Sequence, residues 1–311
     1  MNNHYTTLTR RLREIATLGA VGELASWDQE TMMPRSAAPF RAEQLAVVSS
    51  LVHEKITDPA VGDLIAACEA DATLIGDPAV AANLRDIRRD YDRARTLPTA
   101  LVAEISETSS LAMEAWKLAR EHDAFADFAP WLEKQLTLQR QKAECYGAPA
   151  GGELYDALIE DYEPGMRSAD IEQLFGPLRE GLQSLIAAIA ASPDRIDPRL
   201  ERMPLPQARQ HAFNHTVLTQ IGFDLTAGRI DISTHPFSTG LGPGDTRITT
   251  RYRDDGFLDS LGSTMHEAGH GLYEQGLPKA ERLGQPAAEA LSLGWHESQS
   301  RLWENQVGRS R

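Results

Sequence analysis

The sequence is short of cysteine, of long apolar runs and of positive charge. Its two cysteines, Cys68 and Cys145, have no Cys-x-x-Cys spacing, so neither a disulfide framework nor a thiolate metal cluster is implied. A reducing, cytoplasmic setting is expected. The longest apolar run is Leu185–Ala191, far short of the ~20 residues that span a bilayer. Residues Met1–Tyr5 are polar, which predicts no signal peptide. Lys and Arg number 31 against 45 Asp and Glu, a net charge of −14 that argues against a nucleic-acid or anionic-membrane surface. It says little about a substrate.

What is present is an ordinary globular composition. The chain is 41% hydrophobic and 24% charged, and its 311 residues can bury a substantial core in one large domain or two. Helical periodicity dominates the first two hundred residues. Leu8, Leu12, Ile15, Leu18, Val21 and Leu24 recur at spacings of three and four and predict a helix over Tyr5–Ser26, interrupted by Trp27–Pro34. Further helices are predicted over about Ala37–Glu54, Asp63–Ala72, Val80–Leu97, Leu101–Glu121 and Phe125–Tyr146, with Asp58–Pro59 a turn and helix start. Gly147–Gly152 reads as an interhelical loop or a sub-boundary within one helical domain over 1–311. Helices follow over Ser168–Ala191, with Ser168 as a possible cap, and Gln207–Ile221, closed by Gly222. After Gly222 the texture changes. Arg229–Ser233 and Arg247–Tyr252 alternate like short strands, and a small antiparallel sheet is expected with Gly240–Asp245 as a loop.

One stretch carries chemistry. His266–Glu267–Ala268–Gly269–His270 is a His-Glu-x-x-His motif, and on a helix its two imidazoles project to one side, one turn apart. Glu267 then stands where it can act on a water without ligating a metal. Leu261, Met265, Ala268 and Leu272 define an apolar face roughly opposite the histidines. Gly262, Gly269, Gly271 and Gly276 weaken a helix by up to ~1 kcal/mol each, which fits a helix that other backbone must approach closely. A catalytic zinc usually takes three protein ligands. Glu274 shares the helix and converges poorly, which leaves Glu281, Glu289, Glu297 and Glu304. Pro286–Gln306 reads as a returning helix, with Glu297 near its middle and Glu304 two turns on. His211 and His215 form a second pair four residues apart, but Ala212 stands where a catalytic glutamate would be, and plain exposure is expected.

Several motifs together resemble one known family. His235–Pro236–Phe237, Asp245–Thr246–Arg247–Ile248–Thr249, His266–His270, His296–Glu297–Ser298–Gln299 and Trp27–Pro34 are similar to the motifs of the carboxypeptidase Taq (M32) metallocarboxypeptidases. The resemblance implies a mainly α-helical fold with a small sheet beside the His-Glu-x-x-His helix. It implies a homodimer that removes C-terminal residues from peptides with broad specificity and needs Zn2+, or Co2+ as a substitute. It carries the metal ligands onto His266, His270 and Glu297, and the general base onto Glu267. His235, Asp245, Arg247 and His296 become substrate-binding candidates, with His235 or His296 the donor to a developing oxyanion. Arg247 and Arg251 are candidates for holding a substrate carboxylate. Two further family motifs, Ile-Arg-x-x-Ala-Asp and Gly-x-x-Gln-Asp-x-His-Trp, do not occur, so a shortened chain is expected. The rival expectation is a metal-binding, dimeric protein with little or no peptidase activity.

Overall fold

In a computed structural model, residues 3–193, 197, 199, 202 and 204–310 are described. The first layer is helical: α1 (Asn3–Thr31), α2 (Ala38–Ile56), α3 (Pro59–Glu69), a short α4 (Ala72–Ile75), α5 (Pro78–Thr96), α6 (Thr99–Glu121) and α7 (Phe125–Tyr146). Three starts share one device. Asp58, Asp71 and Asp77 each accept a hydrogen bond from the amide two residues on, at 2.9, 2.8 and 2.9 Å. Such a cap contributes about 1 kcal/mol. Pro59 and Pro78 occupy the first helical positions, where a missing N–H costs nothing. These caps set α3 and α5 a few residues earlier than the apolar periodicity alone suggests.

The expected interruption at Trp27 does not occur. Helix α1 continues to Thr31, because the polar-looking stretch is itself packed. Trp27 is buried, and the buried Gln29 donates to Ser110 O at 3.1 Å and accepts from Ser110 Oγ at 2.8 Å. The core of this layer joins Leu8 and Leu12 to Val61, Ile65, Leu84, Ile87 and Tyr91, binding α1, α3 and α5.

A short α8 (Asp156–Ile159) follows the Gly147–Gly152 loop, and α9 spans Ser168–Ala191. Its N-terminal cap is Arg167 rather than Ser168, whose amide instead donates to the buried Asp156 at 2.7 Å. No residue of α9 is buried, and Leu174, Phe175, Leu178, Leu182, Leu185, Ile186 and Ile189 are all exposed. Helix α10 (Gln207–Gln220) ends at Gly222, whose φ of +93° suits glycine.

The sheet holds β1 (Gly228–Ile232), β2 (Ser238–Gly242) and β3 (Asp245–Thr250), in the order β1-β3-β2. It is mixed, not antiparallel: β1 runs parallel to β3, and β2 antiparallel to it. The segment read as a loop supplies β2, which turns through Pro243–Gly244 and takes one edge of β3, leaving β1 the other edge. Helix α11 (Phe257–Gly276) lies against β3. Ile248, Ala268, Leu218 and Phe223 form a second apolar cluster between sheet, α10 and α11. The chain closes with α12 (Lys279–Arg282), a 3-10 turn over Pro286–Ala288, α13 (Leu293–Arg301) and a π-helical stretch over Leu302–Val307. The single helix expected from Pro286 thus starts only after Ser292, whose hydroxyl caps Trp295 N.

Candidate metal centre

Helix α11 is enclosed on several sides. Asn214 of α10 is fully buried and donates to Thr264 Oγ1 at 2.9 Å, while Gln210 accepts from Ser260 Oγ at 2.7 Å. Thr250 of β3 meets Ser263 hydroxyl to hydroxyl at 2.8 Å. On the flank facing α13, a Cβ at Gly269 would lie 2.5 Å from Gln299 O and from Ser300 Cα. Glycine there lets two helix backbones touch. Gly271 makes room for the Phe223 ring instead, whereas Gly262 and Gly276 face open space. The face that remains carries His266 and His270.

Glu297 of α13 reaches that face. Its Oε2 lies 3.3 Å from His270 Nε2 and 3.7 Å from His266 Nε2. Among the described residues, one ligand atom from each of these three side chains fits within a 4.8 Å span. A tetrahedral ion that holds nitrogen at ~2.0–2.1 Å and oxygen at ~2.0–2.2 Å sets its ligand atoms roughly 3.3 Å apart, so the residues present fit a divalent metal. The other glutamates go elsewhere. Glu304 accepts from His266 Nδ1 at 2.9 Å, on the far side of that ring from Glu297. Glu274 pairs with Lys279 and takes the Nε2 of His296 at 2.8 Å. That bond holds the His296 ring stacked on His270, with centroids 4.5 Å apart. Gly240 of β2 gives the Lys279–Glu274 pair its space, since a Cβ there would overlap both side chains. Glu274 and His296 also line a cleft of about 1430 Å³, with Tyr162, Trp295 and Arg89 on its other walls.

The electrostatics of these side chains follow from burial. Glu267 is 6% exposed and makes no hydrogen bond or ion pair with the described residues. Desolvation, then the nearby charges of Glu297 and Glu304, push its carboxyl up to about 8. Desolvation, then His296 and His266, push the His270 imidazole down to about 4. The site thus favours a neutral imidazole, which can offer a lone pair, beside a carboxyl that holds its proton at neutral pH.

The remaining candidates divide. His296 is brought to the centre. His235 is exposed and lines a different cleft, of about 710 Å³, with Trp27, Trp116, Phe128 and Phe237. Arg247 and Asp245 bind each other through two hydrogen bonds of 2.9 Å, and the guanidinium lies 4.2 Å from the Trp27 ring centroid. That pair braces α1 against β3. Arg251 approaches Asp259 at 3.6 Å. His211 and His215 are exposed, and His211 meets the Tyr252 ring edge-on. Sequence reasoning missed the carriers around the ligands: Glu304 behind His266, and Lys279 with Glu274 behind His296. A heavier weight on the spacing Glu297, Arg301, Glu304 along one helix was the signal available for the first. Nothing local marked the second.

A helix-borne His-Glu-x-x-His whose imidazoles meet a glutamate from a following helix is the arrangement of a metallopeptidase. Comparison with known proteins narrows the class. A model of the carboxypeptidase Taq (M32) metallopeptidase family matches residues 7–311, and the chain belongs to that family. Thermostable carboxypeptidase 1 of Thermus thermophilus is 44% identical over 315 residues, covering 98% of this chain and 61% of the relative. Thermostable carboxypeptidase 1 of Pyrococcus furiosus is 36% identical over 314 residues, covering 100% and 62%. The crystal structure of an M32 carboxypeptidase from Deinococcus radiodurans R1 superposes with a TM-score of 0.85 at 39% identity, covering 99% of this chain and 61% of that one. The chain thus spans about three fifths of the length of the curated relatives it matches. Among the described residues, no helix is long and apolar enough to cross a membrane.

Proposed function

We propose that this chain carries the metal-holding core of a peptide hydrolase that removes residues from free peptide C-termini with broad specificity. The observation that carries the reading is the convergence of His266, His270 and Glu297 on one point. Two imidazoles and a carboxylate suit zinc, and cobalt shares that ligand preference. When bound, the metal supplies Lewis-acid polarisation of the scissile carbonyl and a nucleophilic water at neutral pH.

The side chains do the rest. Glu267, adjacent in sequence to His266 and without a hydrogen-bond or ion-pair partner among the described residues, accepts a proton from the attacking water and passes it to the leaving amine. Beside a bound divalent cation its carboxyl would be held ionised and ready to accept that proton. His296, fixed by Glu274 through Nε2, stands beside His270 and offers the developing oxyanion a donor at Nδ1 when its ring carries both protons. A homodimer acting in the cytoplasm completes the proposal; the two free cysteines fit a reducing compartment.

The test pairs metal analysis with N-blocked peptides bearing free or amidated C-termini. Equimolar zinc after dialysis, with cleavage of the free form alone, is expected. Replacement Glu267→Gln should cost ~10²–10⁴ in rate while the metal stays. Bound metal with no cleavage of either peptide would favour the metal-binding, inactive alternative, and full activity in Glu267→Gln would overturn the mechanism.

A further inference from the structure

We infer that Arg301 and Glu304 are positioning residues for the metal-binding set, resting on the reading that His266, His270 and Glu297 hold a metal. One guanidinium fixes the spare oxygen of Glu297 and, through Glu304, the tautomer of His266.

Glu304 Oε2 sits 2.9 Å from His266 Nδ1. A carboxylate only accepts, so the ring proton must be on Nδ1, and Nε2 keeps its lone pair. That nitrogen is the one facing Glu297 Oε2 at 3.7 Å. The other tautomer would leave Nδ1 and the carboxylate lone pair to lone pair, and would put a proton where a metal must bind.

Arg301 acts on both acids. Its Nε donates to Glu297 Oε1 at 2.9 Å, so that glutamate offers only Oε2 to the imidazoles. Its Nη1 donates to Glu304 Oε2 at 3.0 Å, the same oxygen that receives His266. Arg309 donates to Glu304 Oε1, the other oxygen, at 2.6 Å. Glu304 is therefore held from three directions, and its side chain is only 11% exposed.

An ordinary surface network would look different. Exposed helical ion pairs contribute little and need no special backbone. Here the backbone leaves the α-helical pattern directly after Arg301. Leu302–Val307 is π-helical, with Gly308 N bonded to Trp303 O at 2.9 Å, and the widened turn carries Glu304. π-helical turns are rare and are frequent at functional sites. Carboxylates behind metal-binding imidazoles typically change metal affinity 10–100-fold when removed.

The test uses the chain as it is, stripped of metal by a chelator, with Glu304→Leu, Glu304→Gln and Arg301→Lys. Thermal unfolding first establishes that each variant folds; Glu304→Gln, nearly isosteric, carries the test if Glu304→Leu does not. Long-range 1H–15N spectra of 15N-histidine protein read the tautomer with no metal present. Wild type should show His266 with its proton on Nδ1. Glu304→Leu should move it toward Nε2, and Glu304→Gln, whose amide oxygen still accepts, should hold it. Competition with a chromogenic chelator should then show Zn2+ and Co2+ affinity reduced ~10–100-fold in Glu304→Leu and by less in Glu304→Gln and Arg301→Lys. An Nε2 proton in wild type, or affinities within twofold of wild type in Glu304→Leu and Glu304→Gln alike, would overturn the inference. Wild type that retains no zinc, whatever its tautomer, would instead overturn the reading on which it rests.

Discussion

Two histidine pairs in this molecule share a spacing and nothing else. His211 and His215 lie one turn apart on α10, exposed, with ring centroids 6.4 Å apart and an aromatic edge for company. His266 and His270 lie one turn apart on α11, with centroids 4.9 Å apart, and meet Glu297 and Glu304 from the end of the chain. The spacing aims two imidazoles the same way in both cases. What separates the pairs is a second helix that brings carboxylates, and a glycine that lets it come close.

The sharpest way to break this contrast is to remove one ring from each pair. Replacement His270→Ala should lower zinc affinity by more than ~100-fold, beyond what loss of a supporting carboxylate costs. The double replacement of His211 and His215 by Ala should leave it unchanged. Equilibrium dialysis decides, and a loss of zinc from the α10 variant would erase the distinction. A smaller effect is expected from Gly269→Ala, which touches no ligand. Its Cβ would overlap the α13 backbone at 2.5 Å, so α11 and α13 must separate, at a cost of about 1–3 kcal/mol. Denaturant unfolding measures the cost, and zinc affinity should fall with it. Unchanged values in both would mean that the close approach is dispensable.

These two predictions mark what could be read in the sequence. The spacing of His266, Glu267 and His270 and the apolar stripe behind them are local patterns, and Phe125–Tyr146 and Ser168–Ala191 fold over the residues their periodicity predicts. Contacts between distant segments are not local. The run Trp27–Thr31 looks like a break because its polar Gln29 finds its partner on α6, 81 residues away. Strand β2 was hidden by three glycines and a turn, and its pairing with β3 required knowing that β1 takes the other edge. Glu297 entered through family resemblance, since spacing alone left four acids open. The support that Lys279 and Glu274 give His296 appears only when the helices are placed side by side.

The mildest test concerns pH, and it applies to the metal-free protein. Glu267 is raised from 4.5 to about 8, so the fold favours its protonated form. That contribution is fully present below pH 4.5 and is lost as pH rises through about 8. His270 is lowered from 6.5 to about 4, so its contribution is present above pH 6.5 and is lost as pH falls through about 4. The two oppose each other between about 4.5 and 6.5. From about 6.5 to 8 only the Glu267 contribution changes, and thermal stability should decline with rising pH. Replacement Glu267→Gln should flatten that decline. A wild-type midpoint that climbs over the same interval would show the carboxyl ionised in the fold.

Helix α9 has a different consequence. It runs for 24 residues and buries none of them. Its helical order therefore rests on backbone hydrogen bonds and local propensity, with little tertiary packing to hold it. A segment of that kind opens independently of the global transition. In this chain, hydrogen exchange along Ser168–Ala191 reports helix–coil fluctuation, whereas exchange along Phe257–Gly276 reports the stability of everything packed around it.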